Sequence, residues 1–208
     1  ALLQQIDNSK IRYNESVIDI DIKGKTVHTT KGEYHYEHLI NSAPLSSLAT
    51  MIYHENAFEL NYNQVLVLNM GFDNGSIDKQ VSWVYYPGDE IFYRVGFYNN
   101  IADTERLSIY VEIGYKSNET INIQAAIDKT LIDLRRVNVI DNHVLLACKP
   151  YIINPGYAHI TSSGQIYTES LMSKLESNDV YMIGRYARWQ YSAMDDSIEQ
   201  ALELAKRI

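Results

Sequence analysis

The sequence predicts an α+β fold that consists of a β-meander and a separate antiparallel sheet, with flanking helices. Between residues 10 and 45, short runs of alternating apolar and polar residues are separated by tight glycine turns, which is typical of a meander. A second series of strand-like runs occupies residues 64–115. Only a short helical segment separates the two series, so the order predicts two sheets and no doubly wound parallel sheet.

The meander is predicted from alternation and from turn residues. Its strands are predicted at residues 16–22, 26–30 and 33–36. Gly24 and Gly32 mark the turns between them. Residues 38–45 then predict a buried strand that ends at a loop marked by Pro44, and residues 46–53 predict a short helix.

The second sheet is predicted to contain about four strands. They are predicted at residues 65–71, 82–86, 92–98 and 107–113. Apolar residues at helical spacing then predict an amphipathic helix over residues 121–137, with Asn118 or Thr120 as its cap. The remaining elements are predicted as strands at 144–148 and 180–183 and helices at 166–175 and 195–208.

Composition excludes several classes of function. The 208 residues carry a net charge of −8, which disfavours binding to a nucleic-acid backbone. Cys148 is the single cysteine, so an internal disulfide and a cysteine zinc site are excluded, and a reducing, cytoplasmic location is expected. No apolar run approaches the roughly 20 residues that a membrane helix needs.

Self-contained catalytic motifs are absent from the sequence. The histidines are scattered, and Ser42 does not lie in a G-x-S-x-G elbow. Neither G-x-G-x-x-G nor G-x-x-x-x-G-K-[ST] occurs, so neither standard glycine loop is present to bind a pyrophosphate. We therefore do not expect a stand-alone hydrolase or kinase, and we predict no metal site on this chain.

One segment, residues 180–198, carries a stronger signal. It reads as a buried strand, then Gly184-Arg185, then an aromatic loop that contains Trp189 and Tyr191, then the start of a helix. A strand–loop–helix connector with a helix cap would explain the acidic helix start, but it leaves the Gly-Arg pair and the aromatic loop unexplained. The alternative is a ligand that lies across the strand end and contacts backbone N–H groups at the helix N-terminus.

This segment resembles the C-terminal flavin-binding signature of the UDP-galactopyranose mutases. The run Trp83–Pro87, followed by Phe92–Arg94, resembles a pair of strands in the same family, W-x-Y-[FY]-P and F-Y-R. A third match consists of Val17 in the meander followed by Leu39–Leu45, and it recurs across the wider FAD superfamily of amine oxidases, protoporphyrinogen oxidases and phytoene desaturases. The matches occur in the family's order and span nearly the whole chain. At residues 187–188, Ala-Arg stands where the family commonly has a glycine.

The resemblance implies a domain arrangement and a cofactor. Residues 1–53 would form part of an FAD-binding domain, residues 54–150 a substrate domain with an antiparallel sheet and a helix, and residues 151–208 the return to the FAD-binding domain. Residues 180–183 should therefore lie beside residues 39–42. The family's N-terminal dinucleotide-binding βαβ unit is missing, so we expect FAD in the full-length protein but little FAD binding and no turnover by this fragment alone.

The resemblance also implies roles for particular residues. Those implied to contact FAD are Val17, Gly184, Arg185, Met194, Asp195 and Asp196. Those implied to hold the substrate diphosphate are Tyr85, Arg94 and Tyr191. Arginine forms charge-assisted bonds to phosphate and tyrosine hydroxyls add neutral donors, so this second set suits a diphosphate chemically. Because the flavin carries the chemistry in this family, no catalytic side chain is expected here.

The sequence therefore predicts a fragment of an FAD-dependent mutase. Its reaction would interconvert pyranose and furanose forms of a UDP-sugar for surface polysaccharide (lipopolysaccharide) synthesis. Two alternatives stay open: an FAD-dependent oxidoreductase of the amine-oxidase or protoporphyrinogen-oxidase type, and a non-catalytic module that binds carbohydrate or protein. Loss of the βαβ unit would expose apolar residues of the last helix, namely Ile198, Ala201, Leu202 and Ala205. This predicts either self-association of the fragment through that surface or an ill-ordered C-terminal helix.

Overall fold

The computed structural model describes residues 2–54 and 60–208. The chain divides into two compact units, one formed by the residues up to Leu60 together with Ile160–Ile208, and the other by Asn61–His159. Both contain strands and helices, so the predicted α+β class is confirmed. The assignment of an FAD-binding domain and a substrate domain stays a prediction.

The described residues form ten strands and five α-helices. The strands are β1 (Val17–Asp21), β2 (Thr26–Thr29), β3 (Glu33–His35), β4 (Leu39–Asn41), β5 (Asn63–Phe72), β6 (Trp83–Tyr85), β7 (Arg94–Phe97), β8 (Ser108–Lys116), β9 (Leu145–Ile153) and β10 (Val180–Met182). The helices are α1 (Leu45–Tyr53), α2 (Tyr98–Ala102), α3 (Ile123–Arg136), α4 (Ser162–Glu176) and α5 (Met194–Leu204). Within the described ranges, no helix combines the length and the hydropathy needed to cross a membrane.

The predicted meander is present in the first unit. Strands β1, β2 and β3 pair antiparallel in that order. Ile20 pairs with Val27, and both side chains are buried. The turn between β1 and β2 is held by the Asp21 carboxylate, which accepts hydrogen bonds from the backbone N–H groups of Lys23 and Gly24, each at 3.0 Å. Local alternation and turn chemistry are therefore sufficient to define this sheet.

Strands β4 and β10 form a two-stranded parallel sheet. Leu39 pairs with Val180 and Asn41 pairs with Met182, which confirms the predicted neighbourhood of these segments. The expectation that residues 38–45 form a buried strand is wrong. Strand β4 has only three residues and its Ile40 is 47% exposed, because β4 has a neighbouring strand on one side only within the described part of the chain.

The second unit is built on a five-stranded antiparallel sheet with the order β6-β7-β8-β5-β9. The predicted strands are all present, and β9 adds a fifth. Strand β9 continues to Ile153 and does not end at Cys148, because its pairing with β5 runs on through Pro150. Proline is tolerated there because β9 is an edge strand, where one side of the backbone needs no partner.

One face of this sheet packs against helix α3. Leu66, Leu68 and Val111 are buried in one apolar cluster with Ala126 and Leu134 of the helix. The face on the other side of the sheet is more polar, since side chains alternate along each strand. This second face carries Tyr85 and Arg94, two of the three predicted substrate residues.

The N-terminal ends of helices α3 and α4 differ from the sequence prediction. Asn122 caps α3, where its side-chain oxygen accepts the N–H of Ala125 at 3.1 Å, so the prediction of Asn118 or Thr120 as the cap is wrong. Helix α4 begins at Ser162, earlier than predicted, because the Thr161 hydroxyl accepts the N–H of Gly164 at 3.0 Å. In both helices, the polar side chain of the residue immediately before the first turn accepts a hydrogen bond from one of the free N–H groups of that turn.

The final helix presents an apolar stripe to solvent, as predicted. Ile198 is 53% exposed and Leu202 is 60% exposed, whereas Leu204 on another side of α5 is buried. Self-association through this stripe stays a prediction.

Candidate functional site

A line of polar side chains crosses strands β6, β7 and β8 on the polar face of the five-stranded sheet. Tyr85 lies opposite Arg94, and Arg94 lies opposite Glu112. Residues directly opposite each other in neighbouring strands share one face, so the register itself brings these side chains together. Arg94 Nη1 donates a hydrogen bond to the Tyr85 hydroxyl at 3.2 Å, and Arg94 Nη2 donates one to Glu112 Oε1.

Glu112 holds the neighbouring polar side chains in position through hydrogen bonds. Its side chain is only 10% exposed, and both of its carboxylate oxygens accept hydrogen bonds. Oε1 accepts from Arg94, and Oε2 accepts from the Tyr93 hydroxyl. The carboxylate therefore holds the guanidinium and the phenol at defined positions.

Aromatic rings surround the guanidinium. The ring centroid of Tyr85 lies 5.7 Å from Arg94 Cζ, and that of Tyr110 lies 5.8 Å from it. Both distances are within the range of a cation–π interaction. Trp83 and Tyr85 are both more than half exposed, so the face has aromatic surface open to a ligand.

The protonation states of this cluster follow from its contacts. Burial would lower the pKa of Arg94, but its hydrogen bonds to Glu112 and Tyr85 outweigh burial and place that pKa above its ordinary value. Burial and the hydrogen bond to Glu112 both raise the pKa of Tyr93. Arg94 is thus a permanent cation, and Tyr93 remains a donor at physiological pH.

Arg94 also has an unused donor. Its Nε atom is buried, and it has no hydrogen-bond partner among residues 2–54 and 60–208. A buried donor without a partner carries a free-energy cost that a ligand acceptor would remove. A phosphate oxygen is a suitable acceptor for a guanidinium N–H.

The Gly-Arg segment lies in the first unit and follows strand β10. Gly184 has a φ of +82°, a left-handed conformation that favours glycine. Its N–H donates to the side-chain oxygen of Gln200 in α5 at 2.8 Å, which ties the strand end to the helix. The guanidinium of Arg185 lies over the Tyr191 ring, with Cζ 4.4 Å from the ring centroid.

At the start of helix α5, one side chain caps the helix and two neighbouring side chains are exposed to solvent. The Asp196 carboxylate accepts the N–H of Ala193 at 2.7 Å, so the interpretation of this residue as a helix cap has direct support. Ala193, at the N-cap position, offers no side-chain acceptor to the N–H groups of the first turn. Met194 is 85% exposed, and Asp195 is exposed beside it.

A cavity of about 360 Å³ lies beside this helix start, within the first unit. It is lined by Gln190, Tyr191, Ser192, Asp196, Glu199, Gln200 and Glu203. Buried polar atoms of the same loop, Arg188 Nε and Ser192 Oγ, have no hydrogen-bond partner within the described residues. Carboxylate and amide oxygens accept hydrogen bonds from hydroxyl groups, and the three carboxylates repel phosphates, so the cavity suits a polyhydroxylated chain better than a pyrophosphate.

The structure brings some of the predicted site residues together. Tyr85 and Arg94 form a direct contact in the second unit, and Gly184, Arg185, Met194, Asp195 and Asp196 cluster around the end of β10 and the start of α5 in the first. Val17 lies at the start of β1, where it pairs with Thr29. Tyr191 belongs to the first unit, so its convergence with Tyr85 and Arg94 stays a prediction.

Sequence reasoning missed Glu112, Tyr93 and Tyr110. Tyr110 and Glu112 are polar residues at alternate positions of an otherwise apolar strand, which indicates that they share the polar face of a sheet. That signal does not reveal which neighbouring strand they face.

The fold is similar to that of about half of several solved enzyme structures. In particular, it is similar to reduced UDP-galactopyranose mutase, with a TM-score of 0.87 and 22% sequence identity over 96% of this chain and 48% of that chain. An Exiguobacterium sp. 255-15 protein assigned as a protoporphyrinogen oxidase matches with a TM-score of 0.70 and 12% identity, over 98% of this chain and 49% of the other.

The CLA-producing fatty acid isomerase from P. acnes matches with a TM-score of 0.62 and 12% identity, over 97% of this chain and 50% of the isomerase. The chain thus spans about half the length of the solved structures that it matches. No protein-family profile and no curated protein matches its sequence. These comparisons establish the fold.

Proposed function

We propose that this chain is part of an FAD-dependent enzyme similar to the UDP-galactopyranose mutases, which interconverts pyranose and furanose forms of a UDP-sugar for surface polysaccharide synthesis. The observation that carries the proposal is the line Tyr85–Arg94–Glu112 on the polar face of the five-stranded sheet. The fold similarity to UDP-galactopyranose mutase supports it.

The diphosphate of the sugar nucleotide binds at Arg94. The guanidinium supplies a permanent positive charge and a free Nε–H, and the Tyr85 hydroxyl lies within hydrogen-bond distance of the same group. Such charge-assisted bonds are about twice as strong as neutral ones. Trp83 and Tyr85 add aromatic surface for a sugar or a base, since both rings are largely exposed.

The residues around Gly184 fit FAD. The glycine backbone permits close approach, the first turn of α5 has no side-chain acceptor at its N-cap, and the adjacent cavity holds acceptors for hydroxyl groups. When bound, FAD would supply the reactive group of the enzyme. The side chains of this chain bind the sugar nucleotide and orient it.

An oxidoreductase of the amine-oxidase or protoporphyrinogen-oxidase type is the second candidate. The match to the Exiguobacterium protein favours it. Against it stands the Arg94–Glu112 pair, since an apolar substrate such as a porphyrin would require removal of water from a charged face without compensation. The charged face therefore favours a nucleotide sugar.

Calorimetric titration of the chain with UDP tests the proposal. We expect weak binding of UDP and almost no binding of FAD, because about half of the matched enzymes' length is not represented here. Arg94→Ala should weaken UDP binding by roughly 1.5–3 kcal/mol, the usual contribution of a hydrogen bond to a charged group. Arg106→Ala, which removes an exposed arginine of the same unit, is the matched control. Equal UDP affinity of the Arg94→Ala and Arg106→Ala variants would refute the assignment.

A further inference from the structure

The pairing of Arg94 with Glu112 has a consequence for the ligands that this face accepts. Arg94 carries one positive charge, and the carboxylate of Glu112 in direct contact with it carries one negative charge. Both side chains are largely removed from water, with exposed fractions of 24% and 10%. An incoming anion therefore meets a neutral pair, with the largely exposed Tyr85 side chain in contact with the guanidinium.

The neighbouring groups do not restore a net positive charge. The groups that contact the pair are three phenols: Tyr85 accepts a hydrogen bond from Arg94, Tyr93 donates one to Glu112, and the ring of Tyr110 lies beside the guanidinium. Tyr157 also interacts with Tyr93 and Arg94. Glu112 is thus the one carboxylate among the residues that directly contact the guanidinium in the described structure.

We propose that Glu112 is a specificity-determining residue, because its carboxylate makes Arg94 reject singly phosphorylated or carboxylated ligands and accept a diphosphate. A short anion with few acceptor atoms cannot outweigh its repulsion by Glu112. A diphosphate has more acceptor oxygens over a greater length, so it can bond to the free Arg94 donor and to Tyr85 while its second phosphate lies farther from Glu112. The inference rests on the proposed function and deepens it by naming how the same site selects its substrate class.

The physical basis is that specificity is a difference between two affinities. A group that repels the wrong ligand more than the right one increases this difference, even when it lowers both affinities. Glu112 also positions Arg94 and Tyr93, so its removal could lower the binding of every ligand equally. The ratio of two affinities separates the selective role from the purely structural one.

The experiment compares UDP, UMP and uridine on the chain and on its Glu112→Gln variant. Glutamine keeps the shape and an oxygen acceptor for Arg94, and the Tyr93 hydroxyl can accept from the new amide. We expect Glu112→Gln to bind UMP at least about tenfold more tightly and to lower the UDP-to-UMP affinity ratio by a similar factor, since a repulsive charge is removed. Uridine binding should not change, because uridine carries no anionic group.

Glu105→Gln, the same substitution at an exposed position of the same unit, is the matched control and should leave the ratio unchanged. Thermal melting of each variant reports whether it is folded. A ratio that stays constant while both affinities fall would show that Glu112 acts only as a structural support, which would overturn the inference and leave the proposed function intact. No UDP binding by either the chain or the Glu112→Gln variant would overturn the proposed diphosphate site itself, and the inference with it.

Discussion

The ring of Tyr110 lies over Gly96 of the neighbouring strand: a β-carbon at Gly96 would stand 1.9 Å from the ring atom Cε1. The two residues are paired across β7 and β8. This close approach sets the ring beside Arg94 at the centre of the candidate site.

Gly96→Ala should therefore destabilise the protein and displace the Tyr110 ring. We expect a loss of about 1–3 kcal/mol in the free energy of unfolding, as for other overpacked positions. Gly71→Ala on strand β5 is the control, because no described atom lies within 4 Å of a β-carbon at Gly71, and it should cost less than about 0.5 kcal/mol. Urea denaturation measures both. If the two substitutions cost the same, the Tyr110 ring does not occupy the position described.

Glu112→Ala should destabilise the second unit because it leaves a buried charge without its partner. Arg94 would lose its carboxylate and Tyr93 its acceptor, which we expect to cost about 2–4 kcal/mol. The estimate is below that of a fully buried pair because Arg94 retains some contact with water. A double-mutant cycle with Arg94→Ala, followed by urea denaturation, should give a coupling of more than about 1 kcal/mol. Strict additivity of the two substitutions would contradict the ion pair.

The buried carboxylate of Asp133 should make stability depend on pH. Burial raises the pKa of Asp133, but hydrogen bonds from Lys129 and from the N–H of Ile91 outweigh burial, and the pKa lies below its ordinary value. A lowered folded-state pKa means that this contribution is present above the unfolded-state pKa of 3.8 and is lost as the pH falls through the folded-state pKa.

Asp133→Asn should cost roughly 1–3 kcal/mol at pH 7 through its weakened hydrogen bonds. The difference from the parent chain should begin to shrink below about pH 4, where the unfolded-state carboxyl takes up a proton, and should be lost as the pH falls through the lower folded-state pKa. Asp128→Asn, at an exposed position of the same helix, is the control and should change stability little at any pH. Urea denaturation at several pH values measures the difference, and a difference that is constant down to pH 3 would contradict the assignment.

The local elements of the fold were predictable because their signals are local. Alternation and glycine turns predict β1, β2 and β3, and helical spacing of apolar residues predicts α3. Predictions were wrong where several nearby residues could serve the same purpose, as at the cap of α3, or where pairing with another strand extends an element, as in β9 beyond Cys148. The prediction of a buried strand at β4 was wrong because burial depends on neighbours that are distant in sequence.

The sequence by itself determined the class of fold, the positions of most strands and helices, and the residues Tyr85, Arg94 and Gly184 as site candidates. Only the tertiary structure decided that Arg94 faces Tyr85 on one strand and Glu112 on the other. The physical reason is strand register: a shift by one residue turns every side chain to the opposite face, and pairing between strands that are distant in sequence sets the register. The alternation in β8 could show that Glu112 lies on the polar face, but only the pairing of β7 with β8 made it the partner of Arg94.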